Sequence, residues 1–262
     1  MGPCGTTDAS TYPEAQARHY DGDYAAIGRT QDISFYVQLA EAADGPVMEM
    51  ACGTGRVLLP MARAGATVTG IEPTPAMRRK LLAKLQDEPE DVRGRVHVFD
   101  GRFDRVPVPG PFALICSPFR AFQHLCSREE QIAGLRAMAA VLAPDGVLAF
   151  DVFDYNPALG AKHGTDHVDC TYEEHGRTVE RRSSTSRYED GKMLDVTMRW
   201  MIDGEDTGEA CTCTMRVVFR DEVDELLAEA GLRAEAVFAD FEMSPWEADK
   251  PRELVILAKH AR

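Results

Sequence analysis

A glycine-rich turn near the start of the chain carries the residues best suited to chemistry. The stretch VMEMACGTGR places Glu49 in an apolar segment that predicts a strand, and Gly53 and Gly55 in the turn that follows. Glycine lets a backbone approach a ligand closely where a strand passes into a helix. The Glu49 carboxylate can meet a cationic ammonium group, and Glu72, which ends the next predicted strand, can accept both hydroxyls of a ribose. The unit therefore predicts a site for a nucleotide-bearing cofactor.

The spacing of the turn differs from the dinucleotide-binding fingerprint G-x-G-x-x-G. Leu58 stands where the third glycine would be. That glycine lets helix and strand pack closely, so its absence argues against a pyrophosphate site. Two alternatives of other classes stay open: a nicotinamide oxidoreductase on a similar sheet, and a binding or regulatory module without enzyme activity.

Strands and helices alternate around the turn. The segments VMEMA, TVTGI, RVHVF, FALIC and GVLAFDVF are short and apolar, as is typical of parallel strands covered on both faces. Thr74 and Pro75 predict an N-cap and first-turn proline for one helix, and Ser127 with Glu130 predicts a capping box for another, SREEQIAGLRAMAAVL. Connections this short predict an α/β fold with a doubly wound parallel sheet.

The pattern changes after about residue 156. Alternating segments are joined by EHGR, EDGK and IDGED, where glycine can supply the positive φ of a tight turn. The segment ACTCTMRV places Cys211 and Cys213 on one face, which favours a small apolar sheet face over a metal-binding pair. A helix and two strands follow. The sequence therefore predicts an inserted antiparallel β-sheet, at about residues 160–218, before the last helix and strands.

The order of these motifs resembles class I S-adenosylmethionine (SAM) dependent methyltransferases. VMEMACGTGR resembles their first motif, VTGIEPTPAM the second, and VHVFDGRFDRV the third, in which Phe99 departs from the usual glycine. YDGDY is similar to an element that lies over SAM in many members acting on small molecules. The resemblance spans roughly residues 18–155, and the inserted sheet makes the layout closest to sugar-amine N-methyltransferases.

The resemblance implies the architecture of the whole chain. It implies a Rossmann-like sheet of seven strands, with the seventh antiparallel between the fifth and sixth. Residues 13–262 are expected to form one methyltransferase domain, which includes the inserted subdomain as one wall of the substrate pocket. Residues 1–12, small and polar, are expected to form a disordered tail.

The resemblance also implies SAM as the cofactor and S-adenosylhomocysteine (SAH) as its product. Glu72 is expected at the ribose, Asp100 at the adenine amino group and Arg29 at the SAM carboxylate. For Tyr20 and Tyr24, simple packing is the alternative. The predicted cofactor-binding residues are Tyr20, Tyr24, Arg29, Glu49, Ala51, Gly53, Gly55, Glu72, Pro73, Met77, Asp100, Gly101, Arg102 and Cys116.

The segment CSPFRAFQHL follows the fourth predicted strand, where the carboxyl ends of parallel strands face a ligand crevice. His124 is a candidate general base because the usual pKa of histidine lies near neutrality. A packing histidine is the alternative. The predicted substrate-binding residues are Phe119, Arg120, Phe122 and Tyr155.

Together these features predict methyl transfer from SAM to a small-molecule acceptor, with an amine nitrogen favoured. A neutral amine needs no base before it attacks, whereas a hydroxyl usually needs a base or a metal, and no metal-binding cluster stands out in the sequence. An O- or C-methyltransferase acting on a small hydroxy or keto metabolite is the alternative.

Composition restricts the partners. The 262 residues carry a net charge of −14, which argues against a nucleic-acid partner because such a partner requires a basic face. No apolar run is long enough to span a bilayer, and the start lacks a secretory signal. The seven cysteines include no C-x-x-C pair, so a zinc site is not expected. We expect a cytoplasmic protein, with a homodimer through the inserted sheet as a possibility.

Overall fold

The computed structural model describes residues 14–153, 164–188, 191–247 and 253–261. The strands in these ranges are β1 (Val47–Met50), β2 (Val68–Ile71), β3 (Val96–Phe99), β4 (Phe112–Ser117), β5 (Leu142–Phe153), β6 (His167–Glu174), β7 (Arg177–Tyr188), β8 (Met193–Ile202), β9 (Glu205–Arg216), β10 (Leu232–Phe238) and β11 (Glu253–His260). The predicted tail, residues 1–12, lies outside the described residues.

Seven α-helices occur in the same ranges. They are α1 (Glu14–Ile27), α2 (Gln31–Ala42), α3 (Leu58–Arg63), α4 (Pro75–Gln86), α5 (Glu90–Arg93), α6 (Arg128–Ala139) and α7 (Arg220–Glu229). A short 3-10 helix, Ala121–His124, follows β4. No helix in the described part of the chain is long and apolar enough to cross a membrane.

The larger sheet has the strand order β10-β11-β5-β4-β1-β2-β3. Strands β3, β2, β1, β4 and β5 pair in parallel, whereas β11 runs antiparallel between β5 and β10. The predicted seven-stranded, doubly wound sheet with an antiparallel last strand is confirmed. The chain crosses over beside β1, so the carboxyl ends of β1 and β4 border a crevice of the kind that binds ligands in such sheets.

The central strands are buried on both faces, which explains their continuous apolar runs. All four residues of β1 and all four of β2 are buried. Alternate side chains of β1 enter separate core clusters: Met48 and Met50 pack with Phe122 and Phe150, while Val47 packs with residues of α2, α3 and α4. Two helical layers therefore hold the sheet, and the ends of its strands, in fixed positions.

The second sheet is an antiparallel meander in the order β6-β7-β8-β9. Two of its predicted turns are confirmed. His175 and Gly176 have φ of 52° and 76°, and Asp203 and Gly204 have φ of 53° and 82°. Positive φ at both central residues is the mark of the hairpin turns whose twist matches the flanking strands. The predicted turn EDGK includes residues outside the described ranges.

Helix α1 packs against this second sheet. Ala15 joins an apolar cluster that contains Met198, Trp200 and Cys211 from the sheet. The sulfur of Cys211 lies 3.9 Å from that of Cys213, so the two cysteines share a face as predicted. The apolar neighbours agree with a sheet face, the interpretation that the sequence favoured.

One boundary differs from the sequence prediction. The capping box of Ser127 and Glu130 begins α6 as expected. The helix was expected to run to Leu142, but it ends at Ala139 and β5 begins at Leu142. Leu142 pairs with Phe112 of β4 and is buried. Its place in the sheet interior therefore overrides the helical pattern.

Candidate active site

A cavity of about 1680 Å³ lies at the carboxyl ends of β1, β2 and β4 and extends to the second sheet. Sites for a single drug-sized ligand typically measure about 300–1,000 Å³. The cavity therefore has room for two molecules side by side. Its lining includes most of the residues that the sequence singled out: Tyr20, Tyr24, Arg29, Glu49, Ala51, Gly53, Glu72, Pro73, Met77, Arg102, Phe119, Arg120 and His124.

Glu49 is the most unusual of these residues. Its side chain lies at the end of β1 and the residue is 3% exposed. Its Oε2 atom has no hydrogen-bond partner among the described residues. Burial raises the pKa of Glu49 well above its usual value, although the nearby Arg56 opposes the shift. A buried polar atom without a partner is rare, and here a cationic group in the cavity would supply the missing donor.

The turn after β1 is open toward the cavity at Gly53. Gly53 has φ of 55°, and a Cβ atom there would meet nothing within 4 Å. Ala51 also has a positive φ, 58°, which is uncommon for a residue with a side chain. Gly55 has a different purpose, since a Cβ atom there would lie 2.3 Å from Leu81 of α4. Gly53 thus leaves room in the cavity, whereas Gly55 lets the turn pack on a helix.

Glu72 ties the first two motifs together. Its Oε2 accepts a hydrogen bond from the Gly53 N–H at 2.9 Å, and its Oε1 accepts one from the Thr74 N–H at 2.8 Å. Burial raises the pKa of Glu72, and these hydrogen bonds, with one from the Thr74 side chain, oppose the shift. Thr74 holds the predicted N-cap position of α4, but its side chain serves Glu72. A carboxylate has about four acceptor positions, so these three hydrogen bonds leave one for a ligand.

The third motif departs from the expectation. The Asp100 side chain is 72% exposed and pairs with Arg78 at 3.1 Å, and Asp100 does not line the cavity. Gly101 lies outside the lining as well. A Cβ atom there would come within 2.7 Å of Ile71 and Pro107, so this glycine allows close packing. Of this motif, Arg102, Phe103 and Asp104 line the cavity. A contact between Asp100 and adenine stays a prediction and requires its side chain to turn.

Two further predicted residues, Cys116 and Phe122, do not line the cavity. Cys116 is fully buried in the core beside β1, where burial raises the pKa of its thiol. Phe122 is also fully buried, with its ring centroid 5.0 Å from that of Phe150. For these two side chains, core packing replaces the expected ligand contacts. Tyr155 lies outside the described residues.

An aromatic cluster of Tyr20, Tyr24 and Phe119 forms part of the cavity lining. The ring centroid of Tyr24 lies 4.7 Å from that of Tyr20 and 4.6 Å from that of Phe119. The guanidinium of Arg56 lies 4.4 Å from the Phe119 ring, and that of Arg181 lies 5.1 Å from the Tyr24 ring. Helix α1, the turn after β1, the loop after β4 and the second sheet therefore meet at this cluster.

His124 lines the cavity, but its basicity is low. Burial lowers the pKa of His124 to about 4, and a hydrogen bond with the backbone of Thr214 opposes the shift. The ring is therefore neutral at neutral pH. A general base is most effective when its pKa lies near the working pH, so His124 would be a weak base. The base role stays a prediction, and the geometry suits an orienting role better.

The second sheet provides the opposite wall, which is rich in polar groups. Asp195 of β8 accepts a hydrogen bond from the hydroxyl of Thr214 at 2.7 Å. Asp169 of β6 pairs with Arg181 at 3.0 Å. Other lining residues from this sheet are His167, Ser183, Thr185, Val196, Met198, Cys213 and Met215. The wall therefore combines carboxylates and hydroxyls with a few apolar side chains.

Several of these residues were not predicted. Arg56, Asp151, Arg181 and Asp195 line or support the cavity. Asp151 had a visible signal, since it is the one charged residue in the apolar segment GVLAFDVF. Arg181 and Asp195, on the second sheet, had no such signal. Alternation shows that a strand has two faces, but it does not show which residues lie near a crevice. No group of three or more potential metal ligands occurs in the described ranges.

The chain is similar to known methyltransferases along its length. Residues 47–146 match the family described as "Methyltransferase domain". The cypemycin N-terminal methyltransferase of a Streptomyces species is 25% identical over 257 residues, 97% of this chain and 99% of that protein. A methyltransferase of Geobacillus kaustophilus that is called uncharacterised is 34% identical over 132 residues, 50% of this chain and 57% of its own length. The chain thus spans about half the length of most of the curated relatives that it matches.

Solved structures extend this similarity to the second sheet. The CcbJ methyltransferase from Streptomyces caelestis has a TM-score of 0.80 at 24% identity, covering 97% of this chain and all of that one. SAM-bound CalS10, an amino pentose methyltransferase from Micromonospora echinaspora, has a TM-score of 0.71 at 25% identity, covering 92% of this chain and 96% of the other.

The sheet order and the cavity at its carboxyl edge define a Rossmann-like methyltransferase fold. Residues 47–146 match a methyltransferase domain, and the sheet order agrees with that match. A protein of the same fold, CalS10, was solved with SAM bound.

Proposed function

We propose that the chain transfers the methyl group of SAM to an amine nitrogen of a small-molecule acceptor. The proposal rests mainly on Glu49, a buried carboxyl group with a partnerless oxygen at the wall of a methyltransferase cavity. SAM carries an ammonium group that would supply the missing donor. Two relatives with near-complete coverage support an amine acceptor by their names, the cypemycin N-terminal methyltransferase and the amino pentose methyltransferase CalS10.

The residues at the carboxyl ends of the strands, which form the first wall of the cavity, fit SAM in charge and in shape. We propose that Glu49 holds the ammonium group, that Arg29 holds the carboxylate, and that Glu72 accepts the ribose hydroxyls. Gly53 leaves the space at the turn open for the ligand. When bound, SAM supplies an electrophilic methyl group. The chain has to orient the acceptor toward that group, and orientation can contribute about 7–11 kcal/mol to a reaction of this type.

The second wall of the cavity, which the second sheet provides, fits an amine acceptor. The Asp195 carboxylate and the Thr214 hydroxyl can accept N–H bonds from an amine, and they are fixed on paired strands by their own hydrogen bond of 2.7 Å. The neutral ring of His124 lies in the same cavity and can orient a polar group of the acceptor. An amine that binds uncharged needs no base before it attacks. Asp195 can take up the proton that is released afterwards.

The first test of the proposal is ligand-dependent stability. SAM and SAH should raise the unfolding midpoint of the protein, whereas NAD and ATP should leave it unchanged, because only a ligand that binds the folded state stabilises it. A ligand at 100 times its Kd adds about 2.7 kcal/mol. The second test is a screen of amines, hydroxy acids and phenols with methyl-labelled SAM. Label transfer to hydroxyl acceptors alone would contradict the amine proposal.

We also propose that the protein works in the cytoplasm and that the second sheet is a dimer surface. The six cysteines of the described ranges are free thiols, in keeping with a reducing compartment. Val168 on β6 is 45% exposed, a large apolar side chain at the surface of that sheet. Sedimentation equilibrium tests the dimer: a Val168→Asp variant should shift it toward monomer, and a parent protein that is monomeric at high concentration would contradict the proposal.

A further inference from the structure

The loop after β4 has an unusual backbone at the cavity wall. Phe119 and Arg120 are consecutive residues with positive φ, 61° and 63°. Residues with a Cβ atom avoid this left-handed region because the side chain crowds the backbone. Strained conformations of this kind persist where surrounding contacts hold them. Both residues line the cavity, so some group must hold the turn in place there.

Asp151 of β5 is that group. It is 1% exposed and lies directly behind the turn. Its Oδ1 accepts hydrogen bonds from the Phe119 N–H at 2.8 Å and from the Tyr36 hydroxyl at 2.7 Å. Its Oδ2 accepts one from the Arg120 N–H at 2.9 Å. All three partners are donors, so the site is matched to a carboxylate, which only accepts.

The turn determines where two side chains stand. The Phe119 ring completes the aromatic cluster with Tyr20 and Tyr24. The Arg120 guanidinium pairs with Glu253 of β11. If the turn relaxed to negative φ, the side chains of both residues would leave these positions. The buried Asp151 carboxylate therefore influences the cavity through the backbone of the turn, although Asp151 itself does not line the cavity.

We propose that Asp151 is a positioning residue for cofactor binding: its carboxylate locks the Phe119–Arg120 turn, and the turn places the Phe119 ring against the tyrosines at the cavity. The assignment rests on the proposed function, because it takes the aromatic cluster to contact SAM. It adds to that function the buried Asp151, whose side chain joins β5 to Tyr36 of α2 and which lies outside the three motifs of the sequence analysis.

The protonation state of Asp151 provides a specific signature. Burial raises the pKa of Asp151 to about 7, while the Tyr36 hydrogen bond opposes the shift. Below that pH the carboxyl becomes a donor as well and faces three donors. The charged and titratable groups that surround Asp151 are Tyr36 and Asp32 of α2, Cys116 of β4, Arg120 of the turn and Glu253 of β11.

The test compares SAH affinity, measured by calorimetry on the full chain from below to above pH 7, for the parent and three variants. Asp151→Asn keeps the shape but turns one acceptor into a donor. Tyr36→Phe removes one donor from the carboxylate and leaves the cavity lining intact. Thr207→Val is the control, because it deletes a hydroxyl that bonds to the Trp200 carbonyl in the second sheet, away from the turn.

The parent should bind SAH more tightly as pH rises through the pKa of Asp151. Tyr36→Phe should move this transition to higher pH, since it removes a hydrogen bond that favours the carboxylate. Asp151→Asn should abolish the response near pH 7 that Tyr36→Phe displaces, and it should weaken SAH binding at high pH by about tenfold or more. Any rise in affinity that belongs to Glu49 should remain. Thr207→Val should follow the parent curve.

Several results would overturn the inference. One is a parent curve without a transition, and another is a Tyr36→Phe curve identical to that of the parent. If Asp151→Asn does not fold, the Tyr36→Phe curve decides. A parent that binds no SAH at any pH would overturn the proposed function together with this inference. A parent that binds SAH and methylates amines, with unchanged variants, would overturn this inference alone.

Discussion

The two walls of the cavity are built in different ways. The wall at the strand ends consists of backbone turns and buried acids whose positions follow from the sheet, such as Gly53 and Glu72, joined at 2.9 Å. The wall from the second sheet consists of side chains on paired antiparallel strands, some of which bond to one another, such as Asp195 and Thr214. We expect a substitution in the first wall to disturb the backbone of the turns, and a substitution in the second wall to change only the side chains that face the ligand.

This difference suggests a division of labour. A wall determined by backbone geometry suits a ligand that never changes, which is the cofactor. A wall determined by side chains on an antiparallel sheet can change its chemistry without changing the fold, which suits an acceptor that differs between relatives. Four predictions test that division.

The largest effect is expected at Glu72. Glu72→Ala should weaken SAM and SAH binding more than tenfold, because charged hydrogen bonds of this type contribute about 1.5–3 kcal/mol each. It should also lower the unfolding midpoint, since the N–H groups of Gly53 and Thr74 lose their acceptor. Calorimetric titration measures the affinity. Asp87→Ala, an exposed acid at the end of α4, is the control, and equal affinities for both variants would refute the ribose assignment.

A matched pair of glycines separates backbone strain from lost space. Gly53 and Gly231 have φ of 55° and 77°, and a Cβ atom at either would meet nothing within 4 Å. Gly53→Ala and Gly231→Ala should therefore lose similar stability, about 1–2 kcal/mol. Only Gly53→Ala should weaken SAH binding, by about tenfold, because its methyl group enters the cavity. Thermal unfolding and calorimetry check both, and equal SAH affinity would remove the turn from the cofactor site.

A smaller and different effect is expected on the second wall. Asp195→Asn should raise the KM for an amine acceptor about fivefold, in keeping with about 1 kcal/mol for one hydrogen bond. Its affinity for SAH should stay within about twofold of the parent value, because the first wall is untouched. Asp206→Asn, in the exposed β8–β9 hairpin, should change neither constant. Loss of SAH binding in a folded Asp195→Asn protein would contradict the division between the walls.

The smallest effect is a proton released on cofactor binding. Burial raises the pKa of Glu49 in the free protein, and a bound ammonium group would lower it again. Binding of SAH should therefore release a fraction of a proton, and SAH affinity should rise as pH increases through the raised pKa. Titrations in two buffers of different ionisation enthalpy measure the release. Glu49→Gln should lose it, and unchanged release in that variant would assign the proton to another group.

The same raised pKa affects the stability of the free protein. The folded state holds a proton on Glu49 that the unfolded chain loses near its usual pKa of about 4.5. The contribution of Glu49 to the free energy of unfolding is therefore largest below about pH 4.5. It declines as the pH rises from there through the raised pKa of Glu49 in the folded state.

The order of elements could be predicted from local patterns in the chain. The apolar segments from VMEMA to FALIC, the capping box at Ser127 and the glycine hairpins are signals within a few residues, and they led to the seven-stranded sheet and the inserted meander. The positions of Glu49, Gly53 and Glu72 at the cavity followed as well, because the carboxyl ends of neighbouring parallel strands meet at one edge.

Other features depend on contacts between distant parts of the chain, which no local pattern records. Phe122 and Cys116 looked like ligand contacts from their place after and within β4, yet both side chains are fully buried. Asp151 reaches Phe119 and Tyr36 over 32 and 115 residues of sequence. The second sheet meets α1 through the packing of Ala15 with Trp200, a contact over 185 residues of sequence. Burial and charge pairing at such sites arise only when the layers assemble, so they belong to the folded molecule and not to any segment of it.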